Sequence, residues 1–241
     1  MLVEGYIPGR EVAVEGLLTD GVLRILAVFD KPDPLEGPYF EETIYITPSR
    51  ILASEQCQIE KCAGDAARAL GLTDGPIHAE FRINEEGVWP IEVAPRPIGG
   101  LCARALRFSP NGNNQQDEVG LEELLLRHAL KLPASDAPRE TLASGVMMIP
   151  VPQSGVLESV SGVEAARATR RITDLIITAR LQDYIAAWPE GSSYFGFLFA
   201  SGNSPEEVEQ AIREAHKKLH FCITPRLPVE HPATHRLPPR G

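Results

Sequence analysis

The stretch from His78 to Ala94 limits the possible folds of this 241-residue chain more than any other segment. Side chains of a β-strand alternate between its two faces. In His78-Ala79-Glu80-Phe81-Arg82-Ile83, residues Ala79, Phe81 and Ile83 therefore share one face, and in Val88-Trp89-Pro90-Ile91-Glu92-Val93-Ala94, residues Trp89, Ile91 and Val93 do. Asn84-Glu85-Glu86-Gly87 separates the two runs, so the pattern predicts an antiparallel hairpin with these six apolar residues in the core. A three-residue loop, Glu85 to Gly87 with the glycine left-handed, pairs Phe81 with Ile91 and Ile83 with Trp89, and sets Glu80 directly opposite Glu92. Two like charges facing each other at roughly 5 Å are destabilising unless something cationic relieves them. A divalent ion is one solution: Mg²⁺, or Mn²⁺ in its place, takes hard oxygen ligands from one or two carboxylates. Relief by Arg82 or another basic residue is the alternative.

The remaining chain reads as a mixture of strands and helices. Glu11–Leu18 and Val22–Phe29 flank Thr19-Asp20-Gly21, whose Asp-Gly pair signals a second hairpin. A Pro- and Gly-rich loop over 31–38 precedes a short strand at Thr43–Ile46. Apolar spacing predicts helices over Ser54–Leu70, with Gly71 as C-cap, and over Gly120–Leu130. Lys131–Arg139 reads as a linker, and strands follow near Gly145–Val151, Ile172–Ala179 and Tyr194–Ala200. A helix over Pro205–Leu219 opens with the capping box Ser204-Pro205-Glu206-Glu207. Three parts are expected: 1–132, a smaller α/β unit at 139–224, and a Pro-rich tail at 225–241.

Past the Glu80/Glu92 hairpin, Pro95-Arg96-Pro97-Ile98-Gly99-Gly100 puts a guanidinium, a planar fork suited to carboxylate or phosphate, in a Gly/Pro loop at the strand's end. His78-Ala79-Glu80-Phe81-Arg82 and Glu92-Val93-Ala94-Pro95-Arg96-Pro97-Ile98-Gly99-Gly100 resemble the metal and substrate segments of ATP-grasp ligases, above all L-amino-acid-ligase-like members. Val3-Glu4-Gly5-Tyr6-Ile7-Pro8-Gly9-Arg10-Glu11 resembles the family's nucleotide segment. The resemblance implies an α+β fold: the carboxyl-terminal lobe of an ATP-grasp domain, with an antiparallel sheet and helices, plus a small closing domain. It implies ATP contacts from Glu4, Tyr6, Ile7 and Glu11 and metal binding by Glu80 and Glu92. It also gives Arg96 a catalytic and substrate-anchoring role, with Gly99 and Gly100 beside the same anion; Lys31 and His78 either line the substrate pocket or are ordinary loop and strand-face residues. Ala94 stands where many members carry an asparagine that helps hold a second metal ion.

The reaction implied is ATP-dependent joining of a small-molecule carboxylate to an amine through an acyl phosphate. Biotin-carboxylase-like and purine-biosynthetic members share the metal carboxylates, and a non-catalytic remnant serving as an interaction module is a further reading. The family's amino-terminal lobe, with its phosphate-holding lysines and Gly-rich flap, has no counterpart in these residues, so the missing amino-terminal half is an expected partner; a homodimer is a family-level option. A net charge of −10 argues against nucleic acid, and no apolar run nears the roughly 20 residues of a membrane span, so a cytoplasmic protein is expected. Cys57, Cys62, Cys102 and Cys222 form no CxxC pair, and the His216/His220 and His231/His235 spacings read as solvated side chains.

Overall fold

The computed structural model describes residues 3–34, 41–109, 118–132, 138–139, 141–191 and 193–225. Two antiparallel hairpins begin it. Strands β1 (Arg10–Thr19) and β2 (Val22–Asp30) are joined by Asp20 and Gly21, both at positive φ (48° and 78°), as a two-residue hairpin turn requires. After β3 (Ile44–Thr47), helix α1 (Ala53–Ala69) leads into the second hairpin, β4 (Gly75–Asn84) and β5 (Gly87–Ala94). A short 3-10 turn at Cys102–Ala105 then precedes the small ladder of β6 (Arg107–Phe108) and β7 (Val119–Gly120), and helix α2 (Leu121–Ala129).

The carboxyl-terminal part contains β8 (Ala143–Ile149), β9 (Gly155–Ser161), α3 (Val163–Arg167), β10 (Ile172–Ile177) and β11 (Tyr184–Ile185). β12 (Gly196–Gly202), α4 (Pro205–His216) and β13 (His220–Thr224) complete it. Ser204 caps α4 by accepting from the Glu207 amide at 3.3 Å, while the Glu207 carboxylate turns to the Asn203 amide rather than to Ser204. Strands β9, β11 and β13, absent from the sequence-based expectations, form their own three-stranded sheet.

One eight-stranded sheet, ordered β10-β12-β8-β3-β2-β1-β4-β5, organises the molecule. It runs through the expected boundary at Lys131–Arg139: β3 pairs with β8 from Ile44↔Met147 to Thr47↔Ser144. Residues 133–137 of that linker, the loop residues 110–117 and the tail from 226 onward lie outside the described residues.

Alternation gives the β1/β4 part of this sheet two unlike faces. Val12, Val14, Ala79, Phe81 and Ile83 point to α1 and pack with Ile59 and Ala63. Phe81, Val12 and Val14 are fully buried, and sealing a phenylalanine in this way contributes about 1.5–3 kcal/mol. The opposite face carries Glu11, Ala13 and Glu15 on β1 and His78, Glu80 and Arg82 on β4, a row of charged groups inside the fold.

The β4–β5 register corrects the expected one. The loop is two residues, Asn84 pairs with Gly87, and Phe81 pairs with Pro90, with a bulge leaving Ile91 unpaired. The shorter loop and the extra bulge residue cancel, so Glu80 still faces Glu92. Trp89 now opposes Arg82 on the polar face and Ile91 is unpaired; they are 39% and 44% exposed, not in the core as expected. Val93 packs against the α1-side cluster, as does Val88.

Candidate active site

Three cross-strand rows build the polar face. Glu11, Arg82 and Trp89 form one, Ala13, Glu80 and Glu92 the next, and Glu15, His78 and Ala94 the third. Beyond the last paired residue of β2, Asp30 opposite Val12, the chain brings Lys31 beside Glu11. Its ammonium, with only 3% of the side chain exposed, donates to Glu11 at 2.7 Å, Glu42 at 2.5 Å and Glu80 at 2.7 Å. It also lies 5.2 Å from the Tyr45 ring centroid. The expected loop residue is thus the centre of a buried charge cluster.

Burial disfavours the charge of Lys31, but Glu42, Glu80 and Glu11 together outweigh it and raise its pKa. For Glu80, burial likewise favours protonation and is overcome by the hydrogen bond from His78 and the charge of Lys31, which hold the carboxyl down to about 2. Glu42 is the member pushed up, by burial that Lys31 only partly offsets. His78 is pulled down by burial, yet hydrogen bonds to Glu15 and Glu80 leave it pushed up to about 9.

Two adjoining cavities open on this face. Glu4, Tyr6, Ile7 and Glu11, the expected ATP contacts, line one of about 570 Å³ together with Arg82 and Ile91. Arg82 donates to Glu11 at 2.8 Å and to the Ile7 carbonyl at 2.8 Å, and stacks over the Tyr6 ring at 4.9 Å, fixing that segment to the sheet. The other cavity, of about 670 Å³, is lined by His78, Glu92, Arg96, Gly99 and Gly100, with Tyr194 and Phe197 across it from the carboxyl-terminal part. Glu42 and Glu80 line both. Every expected site residue except Lys31 thus borders one of two cavities that meet at Glu80, and Lys31 is bonded to Glu80 itself.

Glu92 and Arg96 are half-exposed, their charged groups 3.8 Å apart, and Arg96 donates to the Pro97 carbonyl at 3.0 Å. Gly100 holds φ +61°, and a β-carbon there would meet the Phe197 ring at 3.4 Å. Carboxylate atoms of Glu11, Glu42 and Glu80 lie within 4.8 Å of one another, a hard-oxygen set around a cation, with the Lys31 ammonium in that position. Carboxylates are donors of the kind that Mg²⁺ or Mn²⁺ takes; the expected pair is Glu80 with Glu92, its partner across the ladder, whereas the close cluster joins Glu80 to Glu11 and Glu42 instead. Sequence reasoning did not pick out Glu15 and Glu42. Glu15 could have been found as an acid in an apolar strand, on the same face as Glu11; Glu42 adjoins loop residues, where alternation gives no guide.

Residues 1–105 match the family model of the ATP-grasp domain, and residues 147–224 match that of the L-amino acid ligase C-terminal domain 2. Residues 1–105 thus carry an ATP-grasp domain, with the α+β fold expected from its motifs. Its particular likeness is to L-amino acid ligases: it superposes on the enzyme from Bacillus licheniformis with a TM-score of 0.78 and 30% identity, over 91% of this chain and 53% of that one. Phosphoribosylglycinamide synthetase from Anaerococcus prevotii shares the fold, with a TM-score of 0.72 at 12% identity, over 91% of this chain and 55% of that one. An uncharacterized protein, y4rH, of Sinorhizobium fredii is 24% identical over 234 residues, covering 93% of this chain and 45% of that protein. The chain spans about half the length of these relatives. No described helix is long and apolar enough to cross a membrane.

Proposed function

We propose that this chain is the metal- and substrate-binding part of an ATP-dependent carboxylate–amine ligase, working with the half that its relatives carry beyond the matched region. The observation that carries the reading is the pairing of Glu80 with Glu92 across one ladder, with Arg96 at the same end of the hairpin and the candidate nucleotide cavity adjoining it.

In this reading a substrate carboxylate oxygen attacks the γ-phosphorus of ATP; the bond from that phosphorus to the bridging oxygen breaks, giving an acyl phosphate and ADP. An amine nitrogen then attacks the acyl carbon, phosphate leaves, and the nitrogen gives up a proton. Both partners of the first step are anions, so positioning and charge neutralisation carry the catalysis. Mg²⁺ or Mn²⁺ held by Glu80 and Glu92 would supply neutralisation of phosphate oxygens. Arg96 anchors the substrate carboxylate and the acyl phosphate with its guanidinium fork. Gly99 and Gly100 let backbone N–H groups approach the same anion. Lys31 and His78 keep Glu80 ionised, and Glu4, Tyr6, Ile7 and Glu11 border the nucleotide. The likeness to phosphoribosylglycinamide synthetase, at 12% identity, extends to the fold alone.

The test is ADP release by the chain joined to the complementary half of the Bacillus licheniformis relative, assayed with pairs of L-amino acids. Turnover that needs both a divalent ion and an amino acid supports the reading. ATP hydrolysis indifferent to amino acids, or none in a complex that has assembled, contradicts it.

A further inference from the structure

Glu15 is 1% exposed on the polar face, does not border either cavity, and plays no part in the chemistry above. Its two carboxylate oxygens have different partners. Oε1 meets His78 Nδ1 at 2.5 Å, and Oε2 accepts the Ile98 amide at 3.0 Å. His78 in turn places Nε2 3.5 Å from Glu80. The other backbone bonds of the loop between β5 and the 3-10 turn are local: Arg96 N–H to Ala94 at 2.9 Å and Cys102 N–H to Gly99 at 3.4 Å. The Ile98 side chain is buried in the same apolar cluster as Leu106 and Phe199. Arg96, two residues earlier, holds its guanidinium through the carbonyl of its own neighbour Pro97 and the distant Glu92 carboxylate. Its position therefore follows the backbone it stands on.

We propose that Glu15 is a positioning residue that bolts the Arg96 loop to the strand bearing Glu80, setting the spacing between the anion-binding guanidinium and the metal carboxylates. The proposal rests on the ligase reading for the roles of Arg96 and Glu80, but the bolt itself is a statement about the loop. A buried carboxylate with no cavity to serve is costly unless its hydrogen bonds do something an apolar residue would not. Here they join two segments separated by 83 positions in sequence. A glutamine accepts from Ile98 with its oxygen and, once the His78 ring is neutral with its proton on Nε2 towards Glu80, donates to Nδ1 with its nitrogen; a valine keeps the strand and loses both.

The test compares the chain with its Glu15→Val and Glu15→Gln variants, and with Ile59→Val, a mild destabilisation on the α1 side. Hydrogen exchange of the Ile98 amide is measured at a temperature where all four are folded. Inorganic phosphate is titrated while the Arg96 Nε–H and the Gly99 and Gly100 amides are followed by NMR. In Glu15→Val, Ile98 exchange is expected to rise at least about tenfold and phosphate affinity to fall about tenfold, the worth of one such hydrogen bond. Glu15→Gln and Ile59→Val stay within about threefold of the parent, below the worth of that bond. Unchanged Ile98 exchange in Glu15→Val overturns the proposal, as does an equal loss in Ile59→Val. If phosphate fails to shift Arg96 in the parent chain, the ligase reading loses its anion site, while Ile98 exchange still decides the bolt.

Discussion

Replacing Lys31 by Met leaves an aliphatic stem in place and removes the one ammonium shared by Glu11, Glu42 and Glu80. The three carboxylates have atoms within 4.8 Å of one another, a spacing at which two ionised groups repel by about 3.5 kcal/mol at an effective dielectric constant of about 20. Removing one side of a buried ion cluster costs about 3–5 kcal/mol, and Lys31→Met should lose that much at pH 7 in urea unfolding. The loss should depend on pH. In the parent, Glu80 is held down to about 2, so its contribution is present above its ordinary 4.5 and fades as pH falls towards 2. In the variant the unrelieved carboxylates titrate upward instead, so stability is lost as pH rises above 4.5. The gap between the two proteins should therefore shrink from pH 7 to pH 4, and Mg²⁺ should narrow it at pH 7 by replacing the lost cation. A gap below about 1 kcal/mol, the range of an exposed ion pair, or one constant with pH and indifferent to Mg²⁺, would refute the reasoning.

Glu92→Gln removes a half-exposed like charge opposite Glu80, so stability should change by no more than about 0.5 kcal/mol. ATP-dependent turnover of the assembled enzyme should nevertheless be abolished; lost stability with turnover intact would make Glu92 structural. NMR titration of the His78 ring should give a midpoint near 9 rather than 6.5. Because the folded value is raised, its stabilising effect is complete below 6.5 and is lost as pH rises through 9, and a midpoint at or below 6.5 would break the Glu15–His78–Glu80 chain. Phe81→Ala, on the α1 side, should cost about 3–5 kcal/mol while leaving Mg²⁺ affinity of the folded chain unchanged, measured by unfolding and calorimetry.

Local periodicity made the two hairpins and helices α1, α2 and α4 legible, because alternation and apolar stripes record which face is buried, while the short α3 went unpredicted. Asp20-Gly21 marks its turn through backbone geometry alone, and Ser204 marks the start of α4. The facing of Glu80 and Glu92 was legible as well, although a bulge at Ile91 cancelled a turn one residue shorter than expected. Bulges leave no periodic signal, and that is why Trp89 and Ile91 were misplaced. Clustering of Lys31 with Glu42 was not legible, since both flank a loop in which strand rules lapse. The continuous sheet through β3 and β8 was not legible either, because non-local pairing is written in two distant strands at once. The role of Glu15 needed coordinates: the sequence places it opposite no particular residue of the Arg96 loop.

The central claim, that a substrate carboxylate is phosphorylated beside Glu80, Glu92 and Arg96, is tested most directly by oxygen transfer. The assembled enzyme is supplied with an L-amino acid labelled with ¹⁸O at both carboxylate oxygens, and the released phosphate is analysed by mass spectrometry. An acyl phosphate predicts one ¹⁸O in each phosphate formed per ligation, with ADP as the other product. Unlabelled phosphate from an actively ligating enzyme, or AMP and pyrophosphate as products, would contradict the account.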